Sequence, residues 1–334
     1  MVSNGGKLSR MRAIRVHQFG DPSVMKLEDA PDRAAGPGQV LVSIKAAGVN
    51  PVDTYIRSGS YASLPPLPYT PGADAAGVVD SVGEGVREFT HGDRVYISGS
   101  VDGRACGAYA ERALCNLDQV HPLPTHVTFA EGAGVGVPYV TAWRALFDKG
   151  RAVAGETVLI HGASGAVGVA AVQMARAAGL RVFGTAGSER GRQLAREQGA
   201  HDVFDHTAAG YDKDIIAKTG GRGVDLVVEM LANVNLVRDL DMIAKRGRIA
   251  IVGNRGSLEL NPRAIMGKDA TVVGFTNWNA TPPELVMAHA AIVAGMERAG
   301  YKPQVGKEMP LADAARAHED VLKPGAYGKI VLLT

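Results

Sequence analysis

Cysteine is nearly absent: Cys106 and Cys115 are the only two in 334 residues. Two thiols cannot build a dense disulfide framework, which fits a reducing compartment, and they are too few for a four-cysteine structural zinc lobe. Aromatic residues make up 5% of the chain, with only two tryptophans. Trp143 falls in an apolar helical stretch and is expected in the core, whereas Trp278 follows the Phe275-Thr276-Asn277 segment. An excess of one charge is also lacking, with 36 Lys and Arg against 34 Asp and Glu and a formal net charge of +2. The basic residues are scattered, so no surface is set up to neutralise many phosphates at once. No run of about 18 apolar residues occurs, and the first ten residues contain no apolar signal core, so a cytosolic protein without a membrane span is expected.

What the chain has is length for two cores, 42 glycines and a hydrophobic fraction of 46%. From residue 11 to about 130, short β segments at 12–17, 39–47, 77–82, 94–98 and 109–114 alternate with Gly and Pro. That spacing predicts a barrel-like β domain without parallel pairing. A second region follows, in which apolar strands at 157–161, 181–185, 203–204, 224–229, 248–252 and 271–275 alternate with helices. Continuous Val/Ile/Leu strands separated by helices predict a doubly wound parallel sheet of about six strands, an α/β fold. The tail carries a helix around 311–322 and a terminal strand within 328–333, which has no partner in the α/β unit and is assigned back to the first domain. The expected domains are therefore 1–130 with 300–334, and 131–299.

The strongest chemical signal is Gly162-Ala163-Ser164-Gly165-Ala166-Val167-Gly168, which follows a strand ending Ile160-His161 and opens a helix over 167–178. Glycine permits the tight turn, the close approach of a pyrophosphate and the packing of the helix on the sheet, and the free N–H groups at the helix start face the phosphates. Strand, turn, helix and a following strand arrive in the order of a Rossmann dinucleotide site, although the spacing is Gly-x-x-Gly-x-x-Gly. At the end of the second strand the sequence reads Gly184-Thr185-Ala186-Gly187-Ser188, with no acid before Glu189. An acid there would repel a 2′-phosphate; its absence, with Arg190, Arg192 and His206 nearby in sequence, points to NADPH rather than NADH. The competing reading has Glu189 turn back to the ribose and the arginines form a solvated helix face.

Several stretches together carry a resemblance: Gly48-Val49-Asn50-Pro51, Asp53-Thr54-Tyr55-Ile56-Arg57-Ser58-Gly59, Pro68-Tyr69-Thr70-Pro71-Gly72, Gly92-Asp93-Arg94-Val95, the 162–168 turn, Met230-Leu231-Ala232-Asn233-Val234-Asn235, Asn261-Pro262-Arg263 and Gly328-Lys329-Ile330-Val331. From residue 11 to 333 the chain resembles the zeta-crystallin-type quinone oxidoreductases of the medium-chain dehydrogenase/reductase superfamily. The resemblance implies a GroES-like β-barrel catalytic domain beside the Rossmann domain. It also implies a zinc-free enzyme, because the positions matching the superfamily's zinc ligands are Asn50, Ala73 and a residue near Val137. Without a metal, alcohol oxidation is disfavoured, whereas an electron-poor quinone or enone accepts hydride readily.

The same resemblance implies Tyr55 at the domain junction, near nicotinamide and acceptor, with Asn50 beside it as a neutral donor; otherwise Tyr55 is a packing aromatic and Asn50 caps the turn before Pro51. It places Ser164, Gly165, Ala166 and Val167 at the pyrophosphate, Gly187 and His206 at the adenosine end, and Asn235 beside the dinucleotide. Gly253, Arg255, Phe275 and Asn277 are implied at the nicotinamide half. The implied function is NADPH-dependent quinone reduction, with an NADPH-dependent enone or 2-alkenal reductase as the rival enzyme. A rival from another class, binding of AU-rich RNA, finds no aromatic-basic recognition motif in the chain. The open edge expected at 271–275 points to a homodimer or homotetramer.

Overall fold

A computed structural model describes residues 10–99, 106–325 and 327–334. The stretch 1–9, most of the segment searched for a signal core, lies outside the described residues. The chain forms two compact units: the residues up to Val137 together with Val305–Thr334, and Pro138–Gln304.

The first unit begins with an antiparallel pair, β1 (Arg10–Val16) and β2 (Met25–Pro31). The long β3 (Gln39–Val49) follows, then helix α1 (Pro51–Ser58), β4 (Asp74–Val82), β5 (Arg94–Ser98), β6 (Arg112–Asn116), β7 (Val120–Pro122) and the single turn α2 (Phe129–Gly132). One side of β3 pairs with β4; the other is shared, residues 39–43 by β6 and 46–49 by the terminal strand described below. Because β3 serves three partners it is buried along most of its length and organises a core of Ile14, Val42, Ile97, Tyr109 and Ile330. Gly48 is required at its end, since a Cβ there would lie 2.0 Å from the Ala133 carbonyl oxygen. Helix α1 starts at Pro51, as the fixed φ of proline favours, and ends at Gly59 in the left-handed conformation (φ 80°).

The second unit starts inside α3 (Gly136–Trp143), whose last turn continues as a π-helical stretch, Arg144–Lys149. It then alternates β8 (Thr157–Ile160), α4 (Ala166–Ala177), β9 (Arg181–Thr185), α5 (Glu189–Glu197), β10 (Asp202–Phe204), α6 (Tyr211–Lys218), β11 (Val224–Glu229), α7 (Ala232–Met242), β12 (Ile243–Ile251), α8 (Arg263–Met266), β13 (Thr271–Gly274) and α9 (Pro282–Arg298). All six strands are parallel, in the order β10-β9-β8-β11-β12-β13. Their carboxyl ends therefore share one edge, and the order reverses between β8 and β11, where open α/β sheets bind ligands. The expected doubly wound sheet is present, with Leu159, Phe183, Val227, Ile249 and Leu240 in its core. No helix among the described residues is long and apolar enough to cross a membrane.

The chain returns to the first unit as β14 (Val305–Pro310), α10 (Ala314–Asp320) and β15 (Lys329–Leu333). Here the sequence reading needs correction: β14 and β15 pair in parallel, so the first unit is not purely antiparallel. Strands β2, β7 and β14 were also unforeseen, because two of them are rich in charged residues (MKLEDAP, VGKEMP) and the third has three residues. Strand β12 starts at Ile243, five residues before the expected 248, because Lys245-Arg246-Gly247 broke the apolar pattern. Trp143 is half-buried against Phe147, with ring centroids 6.4 Å apart, rather than in the core.

Candidate active site

At the start of α4 the turn after β8 does what its glycines suggest. Gly162 adopts φ 57°, and Gly165 is the N-cap, with no side chain bonded over the helix end. The first N–H bonded back to the cap carbonyl is that of Val169, so Ala166, Val167 and Gly168 present amides that no helical carbonyl satisfies. A Cβ on Gly168 would lie 2.2 Å from the Gly162 carbonyl oxygen and 2.7 Å from the Ala163 Cα, so only glycine lets the helix close on the strand. Ser164 stands at the rim, its Oγ 3.0 Å from where a Cβ on Gly191 would be. This shallow, amide-lined mouth at the positive end of a 12-residue helix fits a pyrophosphate.

Around it lie the other carboxyl ends. After β9 comes exposed Gly187, with the His206 ring from the segment after β10 beside it: a Cβ on Gly187 would be 2.9 Å from His206 Nε2. The Ser188 hydroxyl oxygen accepts from the Gly191 N–H and caps α5, while the buried Thr185 hydroxyl is taken up by His161 and Gly162. Glu189 does not turn back toward β9; it accepts from Arg192 at 2.8 Å and Arg196 at 3.3 Å along the exposed helix face, which holds its carboxyl below the usual range. Arg192 also pairs with Asp205 at 2.6 Å, so this guanidinium is already neutralised twice.

After β11, Asn235 on α7 donates its amide to Glu229 Oε1 at 3.1 Å. Gly253 follows β12 so closely against β11 that a Cβ would lie 2.4 Å from the Met230 carbonyl oxygen; the Arg255 N–H donates to Asn233 Oδ1 and its side chain is exposed. After β13, the Asn277 amide donates to the Thr141 hydroxyl at 2.8 Å, and Phe275 lies under Arg144. All the residues assigned to the dinucleotide thus lie within one unit, beyond the carboxyl ends of its strands or on the helix that follows. Arg144, missed in the sequence, is 2% exposed; it donates to the Thr276 carbonyl at 2.7 Å and to Asp148, fixing the segment after β13. An arginine in an otherwise apolar helical run was its signal.

In the first unit, Asn50 is the N-cap of α1, but its side chain does not cap. Its Nδ2 donates to Asp74 at 2.9 Å, and its Oδ1 accepts from the Lys329 ammonium at 2.6 Å. Lys329 also binds Asp74 Oδ2 at 2.7 Å, and the second Asp74 oxygen accepts from the Val137 N–H at 2.7 Å. The sequence gives neither Asp74 nor Lys329 a role at the site, although each is a charge at the head of a largely apolar strand. Both are almost wholly buried. Asp53, three residues into α1, accepts from the Asn50 N–H and the Tyr109 hydroxyl, and burial pushes its carboxyl up to about 7. Tyr55 is half-buried, and its hydroxyl has no hydrogen-bond partner among the described residues. A cavity of about 900 Å³ within this unit is lined by Asp53, Ile56, Tyr69, Thr70 and Cys106, but not by Tyr55.

A β-rich unit in the same chain as a six-stranded parallel sheet with an open glycine turn is the make-up of a dinucleotide-dependent oxidoreductase of the medium-chain type. Comparison agrees: residues 36–125 match the family model described as alcohol dehydrogenase GroES-like domain, and 166–291 match that described as zinc-binding dehydrogenase. The chain is 49% identical to the quinone oxidoreductase of Rattus norvegicus, over 99% of this chain and all of the relative. Against the quinone oxidoreductase of Homo sapiens the identity is 46%, again over 99% and 100%. Among solved structures, a mycobacterial protein complexed with NADPH shares 30% identity at a TM-score of 0.86, covering 97% of this chain and 100% of that one. The chain belongs to the quinone oxidoreductase family of the zeta-crystallin type. The zinc in one family model's description finds no fitting donors around Asn50: the amide nitrogen and the ammonium both donate protons, and they occupy an Asp74 oxygen.

Proposed function

We propose that this protein is an NADPH-preferring quinone oxidoreductase that works without zinc. The observation that carries the reading is the mouth of α4, three amides without a helical acceptor closed by Gly168, which admits no Cβ, beside a β9 end with no carboxylate facing it. Bound NADPH supplies the hydride. In this reading Ser164, Gly165, Ala166 and Val167 hold the pyrophosphate, Gly187 and His206 the adenosine end, and Asn235, Gly253, Arg255, Phe275 and Asn277 the nicotinamide half. Arg192 is paired with Glu189 and Asp205, and we assign the 2′-phosphate to Arg190 and His206.

On the acceptor side, Tyr55 offers a hydroxyl free to donate, whereas one Asn50 N–H is committed to Asp74, so we assign the contact with the quinone oxygen chiefly to Tyr55. The protein's task is to hold the acceptor against the nicotinamide and keep water out, since an electron-poor ring needs no Lewis acid. We also assign β13, last in the sheet and partly exposed, to pairing with a second copy. Steady-state kinetics with a quinone and each cofactor test the main reading. The expectation is a kcat/KM for NADPH at least about tenfold above that for NADH, or about 1.4 kcal/mol, unchanged by chelator; a preference for NADH overturns it.

A further inference from the structure

Directly behind the glycine turn, three titratable side chains converge in the sheet's interior. His161 follows β8, Glu229 ends β11 and Asp239 sits on α7; they are 3%, 0% and 0% exposed. His161 Nε2 lies 2.8 Å from Asp239 Oδ1 and 3.5 Å from Glu229 Oε2. Its Nδ1 is 3.2 Å from the Thr185 hydroxyl, whose oxygen also accepts from the Gly162 N–H at 3.3 Å. Burial lowers the imidazole's pKa and favours a neutral ring, and in the tautomer that carries its proton on Nε2 the wiring runs one way. Gly162 donates to Thr185, Thr185 to Nδ1, and Nε2–H to Asp239. On the far side Glu229 Oε1 accepts from the Leu231 N–H and the Asn235 amide.

That leaves Glu229 Oε2 and Asp239 Oδ2 buried with no donor among the described residues, in a trio whose polar atoms come within 4.8 Å of one another. Two bare carboxylates in such a place cost several kcal/mol each. The charges that reach them from neighbouring elements are few. Arg238 on α7 is exposed and turned to the Tyr211 hydroxyl at 3.1 Å, with Asp212 near it; His206, after β10, feels only His161, Asp205 and Arg192. Among the described residues no buried cation closes the cluster. A proton between the two oxygens does, giving each a partner and removing one charge. Desolvation and the neighbouring carboxyl push Glu229 up to about 7, and desolvation does the same to Asp239.

We propose that Glu229 and Asp239 share one buried proton, and that this proton positions the dinucleotide cradle by locking Gly162 through His161 and Asn235 through Glu229. These are positioning residues rather than catalytic ones. The inference rests on the cofactor reading above, since its consequence is that nucleotide affinity depends on the proton. A transition metal fits the trio less well: donors 2.8 Å apart are at hydrogen-bond length, and ligands around a tetrahedral ion at about 2.0 Å stand farther apart.

The decisive variant is E229Q. Glutamine keeps an oxygen for Leu231 and Asn235 and offers its NH₂ to Asp239, which imitates the protonated state permanently. Calorimetry of NADPH binding to the full chain is compared at about pH 6 and about pH 8.5, on either side of the shared proton. Wild type is expected to weaken about tenfold more than E229Q between these pH values, the effect of a one-unit shift in the proton's pKa on binding. Infrared difference spectra of the nucleotide-free protein should show a protonated-carboxyl band at the lower pH that E229Q lacks. Equal pH slopes in the two proteins, no such band in wild type, or stoichiometric Zn²⁺ binding that E229Q loses would each overturn the proposal. Failure of NADPH to bind either protein at any pH would remove the cofactor reading and the coupling together, while the infrared band decides the proton independently.

Discussion

Two buried polar clusters, one in each unit, solve the same electrostatic problem in opposite ways. In the first, Asp74 meets a full cation, Lys329, with the Asn50 amide completing the set. In the second, Glu229 and Asp239 meet only a neutral imidazole and backbone or amide N–H groups. A buried anion can be neutralised by a fixed charge or by a proton, and the choice decides whether the site responds to pH. The Asp74 cluster is closed by its own lysine. The Glu229 cluster is closed only while it keeps its proton.

The largest way to break this contrast is to remove the fixed charge. K329M should destabilise the protein by about 3–5 kcal/mol in denaturant unfolding, because it strands Asp74 without its cation. D74N/K329M should recover a large share of that loss. A smaller loss would mean that water already reaches Asp74. Next is G168A, which strikes the mouth of α4 while leaving Glu229 and Asp239 in place. Its Cβ would have to displace the Gly162 carbonyl, so NADPH should weaken at least about tenfold with the infrared carboxyl band intact.

The pH dependence of stability sharpens the comparison. Glu229, Asp239 and Asp53 have raised folded-state values near 7, so the stability they contribute is full at low pH and lost as pH rises from about 4 to about 7. Buried His161, His289 and His318 are lowered and act in the opposite sense, their contribution being present above about 6.5 and lost as pH falls. The difference between wild type and D239N isolates the second cluster. Wild type should lose up to about 1.4 kcal/mol per pH unit more than D239N between about pH 5 and about pH 7, read from urea midpoints. Smallest in stability is Y55F, at under about 0.5 kcal/mol, because its hydroxyl bonds to nothing described. A fall in kcat/KM there with unchanged Tm would make the hydroxyl an acceptor contact; no change in either would leave the ring as packing.

The second unit was the more legible. Its strands are continuous apolar runs, and four of the six, starting at Thr157, Arg181, Val224 and Thr271, begin where the alternation with helices placed them. In the first unit, pairing depends on contacts distant in sequence. Nothing local in Val305-Gly-Lys-Glu-Met-Pro announces a strand, and β14 exists because β15 offers it an edge. The site divides likewise. The 162–168 turn is a local device readable from its glycines, whereas Asp74 and Lys329 are 255 positions apart and His161 and Asp239 are 78 apart.

By its own order of residues the chain determined a doubly wound sheet, a glycine-lined helix mouth and the lack of an acid after β9, because each depends on neighbours within about twenty positions. Only the tertiary structure decided which charges met. Folding carried Lys329 to Asp74 and brought Glu229 against Asp239 without a cation, and burial turned that second encounter into a place for a proton.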